Sequence, residues 1–159
     1  MKLKVYLETS VFNYYFLKDS KREEEISYTK KLFEQIKEGN FEAYVSEITI
    51  RELDACPDFS KREKMLRLIS EFNIIGIELD TPYEVLANKY ILAEAIPEKK
   101  KDDARHIAMA TLSEMDILIS WNCEHIVKFK TQQIVRTVNL LEGLTNIAIN
   151  TPKEVVSYE

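Results

Sequence analysis

Short apolar runs of strand length alternate with longer stretches of helical periodicity along this sequence, and that alternation predicts an α/β fold: a three-layer α/β/α sandwich around a five-stranded parallel sheet. Two further observations point the same way. The apolar runs are bounded by turn and cap residues, and no repeat, low-complexity tract or linker interrupts the pattern. The chain has 159 residues, enough for one sizeable core and too few for two ordinary domains, so a single domain over 1–159 is expected.

The first run, Leu3 to Leu7, has the composition of a buried strand and passes directly into the polar cluster Glu8-Thr9-Ser10. From Glu24 to Glu38, Ile26, Leu32, Phe33 and Ile36 form a helical stripe, which Gly39-Asn40 terminates. Phe41 to Val45 reads as the second strand, and Ser46 is placed to cap a short helix over Glu47 to Leu53. Past Pro57, Ser60 and Glu63 have capping-box spacing, opening a helix whose inner face is Met65, Leu68, Ile69 and Phe72. Asn73 to Leu79 follows as strand three.

Thr81-Pro82-Tyr83-Glu84 starts the next helix, with Leu86, Ala87, Tyr90, Ile91 and Ala93 at helical spacing. Pro97 and the run Lys99-Lys100-Lys101 form a loop, read equally as a solvated segment or as a guide for a phosphate backbone, after which Asp102 is expected to cap a helix with Ala104, Ile107, Ala108 and Thr111 on one face. Asp116 to Ser120 is strand four, Gln132 to Leu141 a helix stopped by Gly143, and Ile147 to Ile149 strand five. Thr151 to Glu154 has a final cap-like spacing.

Apolar residues make up 45% and charged residues 31%, a globular mixture that excludes disorder and fibrous repeats. The 22 basic and 27 acidic residues leave a net charge of −5, so a grip on nucleic acid must be local rather than spread over a basic face. Cys56 and Cys123 stand far apart without paired spacing, which predicts free thiols and a cytoplasmic location. The run Val5-Tyr6-Leu7 is cut short by Glu8, and no segment has membrane-spanning length.

Open parallel sheets bind ligands beyond the carboxyl ends of their strands. Glu8 ends strand one, Glu52 follows strand two, Asp103 opens the helix before strand four and Asn122 follows strand four. Three carboxylates and an amide suit Mg²⁺ or Mn²⁺, hard ions that accept phosphate oxygens, and so point to phosphodiester hydrolysis. Taken singly, Glu52 and Asp103 are better explained as helix-dipole partners than as ligands. Glu8 is harder to dismiss, because an acid at the end of a buried strand needs a partner or an ion.

Around these residues, Ser10, Arg51, Arg105 and His125 are auxiliary candidates, the arginines as guides for a phosphate backbone. His106 is expected to be a structural histidine, hydrogen-bonded at the edge of the sheet. Cys123 with the two histidines lacks the short paired spacing of a zinc site. Tyr14, Tyr15 and Phe16 are read as packing in a core or a dimer interface, with base stacking as the alternative. With Val11 and Phe12 they exceed what a monomer readily buries, which predicts a homodimer.

The segments Val5-Tyr6-Leu7-Glu8-Thr9-Ser10-Val11, 46–53, 103–110 and 116–122 together resemble the PIN domain family, in order and separation across nearly the whole chain. The stretch Asp103-Ala104-Arg105-His106-Ile107-Ala108 is the most specific piece. The resemblance implies a five-stranded parallel sheet between helices, Mg²⁺- or Mn²⁺-dependent cleavage of RNA, homodimers and, in bacteria and archaea, a VapC-type toxin held by an antitoxin protein. It carries the family's first three acids onto Glu8, Glu52 and Asp103 and its fourth onto Asn122. Most relatives have Asp where Glu8 stands and an acid where Asn122 stands. The Glu-Thr-Ser start and the later Trp-Asn-Cys-x-His resemble one branch of the family.

Those two departures leave a second reading open, a weak or inactive PIN-like module that acts by binding RNA or a protein. A nucleotide-binding doubly wound protein is disfavoured, because the chain has three glycines and none in a phosphate-cradling run.

Overall fold

A computed structural model of the chain describes residues 2–156. Its strands are β1 (Leu3–Leu7), β2 (Phe41–Val45), β3 (Ile75–Gly76), β4 (Ile117–Ile119) and β5 (Ala148–Asn150). All pair in parallel, in the order β3-β2-β1-β4-β5. The helices are α1 (Thr9–Tyr15), α2 (Glu23–Lys37), α3 (Glu47–Asp54), α4 (Phe59–Glu71), α5 (Tyr83–Leu92), α6 (Lys101–Leu112), α7 (Phe129–Leu141) and α8 (Pro152–Val156). The chain winds outward from β1 to β3, then returns to lay β4 on the other side of β1. That reversal opens a crevice beyond the ends of β1 and β4.

The alternation of side chains along β1 feeds two cores, one on each face of the sheet. Val5 and Leu7 point into a cluster with Phe12, Leu32, Phe33, Met65 and Val155. Tyr6 points the other way, among Leu86, Tyr90, Ile107, Leu118 and Val135. Among the described residues no helix is long and apolar enough to cross a membrane, and both cysteines are free thiols.

Several boundaries differ from the sequence reading. Strand three is two residues long, because the outer edge of β2 finds a partner only at Ile75 and Gly76. Helix α4 starts earlier than Ser60, at Phe59, because the side chain of Asp58 accepts the Lys61 N–H and caps it. Asp102 is not a cap: α6 begins at Lys101, and Asp102 sits in its first turn facing two arginines. The Thr151–Glu154 box forms as expected, with Glu154 accepting the Thr151 N–H.

The aromatic segment after β1 is a helix that packs within the monomer. Val11 and Phe12 are fully buried, Tyr15 and Phe16 pack against the same core, and Tyr14 stacks on Trp121. The excess of apolar surface that argued for a dimer is thereby absorbed by the chain itself.

Five helices end in one device. After α2, α4, α5, α6 and α7 the chain turns through a left-handed residue at Gly39, Asn73, Glu94, Glu114 and Gly143, with paired backward hydrogen bonds such as Asn40 N–H to Gln35 C=O at 2.9 Å and Gly39 N–H to Ile36 C=O at 3.1 Å. Glu114 adopts φ +56° without being glycine. We expect Glu114→Gly to gain about 0.5–1 kcal/mol by relieving that conformation, and Gly39→Ala, at φ +87°, to lose about 1 kcal/mol, in chemical denaturation.

Candidate metal centre

Glu8 leaves the C-terminal end of β1 into the crevice and is only 6% exposed. A carboxylate so buried needs donors, and two serines supply them: Ser10 Oγ at 2.5 Å and Ser120 Oγ at 2.6 Å, both on Oε1. Ser10 in turn accepts the Trp121 N–H at 2.8 Å, and Ser120 accepts the Asn122 N–H at 2.9 Å. The end of β4 is thus laced to the end of β1 through this carboxylate.

Glu52 enters from α3, whose start is fixed by Ser46 accepting the Ile48 N–H at 3.2 Å. Its Oε1 accepts from Thr9 Oγ1 at 2.6 Å and meets His106 Nε2 at 2.5 Å. His106 has no exposure; its Nδ1 lies 2.6 Å from the Tyr6 hydroxyl, which lies 2.7 Å from Ser46 Oγ. Burial alone would disfavour the imidazolium, but Tyr6, the Glu52 hydrogen bond and the Glu8 charge outweigh it and raise the His106 pKa well above the usual value. Glu52 responds in the opposite sense: burial pushes it up, and the hydrogen bond and charge of His106, with Thr9, bring it below the ordinary carboxylate range. The ring is thus held between the Tyr6 hydroxyl on Nδ1 and the Glu52 carboxylate on Nε2.

Asp103 projects from the first turn of α6. Burial first, and then the charge of Glu8, push its carboxyl up to about 6. Its Oδ2 accepts from Asn122 Nδ2 at 3.3 Å, while Asn122 Oδ1 accepts the His125 N–H at 3.0 Å. Ligand atoms of Glu8, Glu52 and His106 all lie within 4.8 Å of one another, and Asp103 feels the charges of all three.

The donor set fits a hard divalent cation. Glu8 and Glu52 cluster with His106, and Asp103 lies near enough to interact with their charges, a gathering of carboxylate oxygens of the kind a hard divalent ion takes. On Glu8 and Glu52 the described hydrogen bonds all gather on Oε1, and on Asp103 on Oδ2, which leaves a second oxygen of each carboxylate for an ion.

No family model matches the chain, and no curated protein matches it. Among solved structures, the crystal structure of VapBC2 from Rickettsia felis bound to a DNA fragment from their promoter contains a similar chain, with a TM-score of 0.58 and 14% identity over 94% of this chain and 98% of that one. The fold is PIN-like. At that identity the likeness carries the fold alone, and the function rests on the pocket's own geometry.

Of the residues picked from the PIN-like motifs, Glu8, Glu52, Asp103 and Asn122 are brought to one crevice, with Ser10 bound to Glu8. His106 is buried and hydrogen-bonded, as a structural histidine would be, beside Tyr6 of the central strand, and it also clusters with the two glutamates. His125 contributes its backbone N–H to Asn122, and its side chain meets Glu124 at 3.7 Å. Arg51 and Arg105 pair with Asp102 at 2.6 and 2.8 Å, and Arg105 also with Glu84. Lys99 to Lys101 are exposed.

Four residues of the pocket were missed. Tyr6 read as an ordinary strand residue, Thr9 and Ser120 as polar ends of strands, and Ser46 as a cap alone. The available signal was the placement of hydroxyl side chains in an otherwise apolar setting: Ser46 and Ser120 are almost fully buried, and buried hydroxyls require partners.

Proposed function

We propose that residues 1–159 form one PIN-like domain that cleaves RNA with Mg²⁺ or Mn²⁺, as the toxin of a toxin and antitoxin pair. The observation that carries this reading is the cluster of Glu8 and Glu52 with His106 beyond the ends of β1 and β4, with Asp103 near enough for its carboxyl to be raised by the charge of Glu8, and with the described hydrogen bonds of each carboxylate gathered on one oxygen. Glu8, Glu52, Asp103 and the Asn122 carbonyl are the residues that would hold the ion. When bound, the ion polarises a phosphoryl oxygen and lowers the pKa of a coordinated water.

The chain's own residues supply orientation and charge. Ser10 and Ser120 fix one oxygen of Glu8, and Thr9 and His106 fix one of Glu52, so each carboxylate presents its other oxygen without rotating. Asp103 holds a proton below about pH 6 and is an anion at neutral pH. RNA as the substrate, an antitoxin protein as partner and a homodimer follow from the PIN resemblance; the fold shared with the Rickettsia felis VapBC2 structure lends support to the antitoxin partner alone. Light scattering at micromolar concentration is expected to give twice the 18.6 kDa chain mass; a clean monomer removes the dimer from this reading.

The direct test is metal add-back. Protein stripped with EDTA should leave single-stranded RNA intact, and excess Mn²⁺ should restore cleavage. Cleavage that persists in EDTA contradicts the proposal.

One observation favours the second reading, a weak or inactive module that binds RNA or protein: Asn122 is neutral, and its carbonyl already accepts the His125 N–H. Asn122→Asp separates the two. In an ion-binding pocket the added charge should tighten Mn²⁺ binding at least about tenfold in calorimetric titration, because charge outweighs an amide dipole beside a divalent ion. Unchanged or weaker affinity removes Asn122 from the ion's shell.

A further inference from the structure

Trp121 and Tyr14 form a stacked aromatic pair at the rim of the crevice, and the metal chemistry uses neither ring. Their centroids lie 5.3 Å apart and their planes 18° from parallel. The aromatic rings of the core behave differently: Phe12, Tyr15, Phe33 and Phe72 meet edge to face, at 68° to 78° for the contacts made by Phe33. Edge-to-face contacts fill a core, whereas a parallel pair presents flat faces that a third ring can extend. Both Tyr14 and Trp121 are partly exposed.

The pair is tied to the pocket. Trp121 lies between Ser120 and Asn122, its backbone N–H donates to Ser10 Oγ at 2.8 Å, and its indole N–H donates to Thr29 Oγ1 at 2.7 Å. Tyr14 lies one turn along α1 from Ser10, the serine that also holds Glu8. The rings are therefore fixed in position relative to the first carboxylate.

We propose that the Tyr14–Trp121 pair is a stacking platform that takes one unpaired base of a single-stranded RNA beside the pocket. This rests on the nuclease reading for the identity of the polymer. A chain of net charge −5 has little general attraction for a polyanion, so affinity must come from local contacts, and base stacking on aromatic side chains supplies such contacts without sequence readout. A duplex, whose base faces are already covered, is excluded from the platform.

The single tryptophan of the chain makes the platform directly visible. The probe is a single-stranded uridine hexamer, with an abasic hexamer of equal charge as control, titrated into the Asp103→Asn protein with Mn²⁺ while Trp121 emission is followed. The uridine hexamer is expected to quench more than half of the emission saturably and to bind about tenfold more tightly than the abasic one. Equal affinities, or unquenched emission at saturation, overturn the platform. In wild type, Tyr14→Leu should raise KM about tenfold and leave kcat within about threefold; an unchanged KM likewise overturns it. RNA cleavage by wild type without quenching sinks the platform and leaves the nuclease reading standing, whereas quenching without any cleavage does the reverse.

Discussion

Asp103→Asn is expected to lower Mn²⁺-dependent RNA cleavage by more than about 100-fold and, in metal-free protein, to make the fold more stable at pH 7.5. The loss follows from removing a charged ligand, which exceeds the roughly 10- to 100-fold cost of losing a residue that only supports one. The gain follows from the raised pKa. Unfolded, the carboxyl titrates near its ordinary value of 3.8; folded, it titrates at about 6 because burial and Glu8 oppose its charge. The native state therefore bears no penalty below about pH 4, acquires one as pH rises towards 6 and keeps it above, on the order of 3 kcal/mol in full. Asparagine is neutral throughout and still accepts from Asn122.

Denaturation in EDTA should thus show the variant ahead by about 2–3 kcal/mol at pH 7.5 and by roughly half as much at pH 5. Saturating Mn²⁺ should close the gap from the wild-type side. A variant less stable than wild type at both pH values would identify Asp103 as a structural group.

His106→Ala carries the largest expected loss of stability. The ring is fully buried between the Tyr6 hydroxyl and Glu52, so its removal opens a cavity and leaves a part-buried carboxylate without its imidazole partner. Glu52 is 30% exposed and water recovers part of that cost, which puts the expected loss at about 3 kcal/mol. Tyr6→Phe should cost about 1–3 kcal/mol, because His106 keeps Glu52 but its buried Nδ1 loses its partner and Ser46 loses one too. His125→Ala, whose fold contact is a backbone N–H, should stay within about 0.5 kcal/mol. If His106→Ala were no worse than His125→Ala, the buried network would not be what holds Glu52.

The contrast between these two histidines shows where sequence reading stops. Strand ends and helix starts are local properties, so Glu8, Glu52, Asp103 and Asn122 could be assigned to the carboxyl end of the sheet from spacing alone. The Tyr6–His106–Glu52 chain joins residues 54 and 100 positions apart, and no periodicity encodes which hydroxyl meets which ring nitrogen.

The same limit explains strand three. Asn73 to Leu79 has strand composition, but only two residues find a partner at the sheet's edge. It also explains Asp102, whose capping spacing was overridden by Arg51, an arginine 51 residues away. The segment Thr9–Tyr15 was read as a polar cluster followed by surplus aromatics, and its helix emerges only when Val11 and Phe12 find Phe33 and its neighbours across the core.

The most direct test of the central claim is to soak crystals of the wild-type protein in Mn²⁺ and locate the ion by its anomalous scattering. The pocket described here predicts one or two peaks within bonding distance of the carboxylates of Glu8, Glu52 and Asp103, beyond the ends of β1 and β4. A fully soaked crystal with no peak there, or with Mn²⁺ only on surface carboxylates elsewhere, would contradict it.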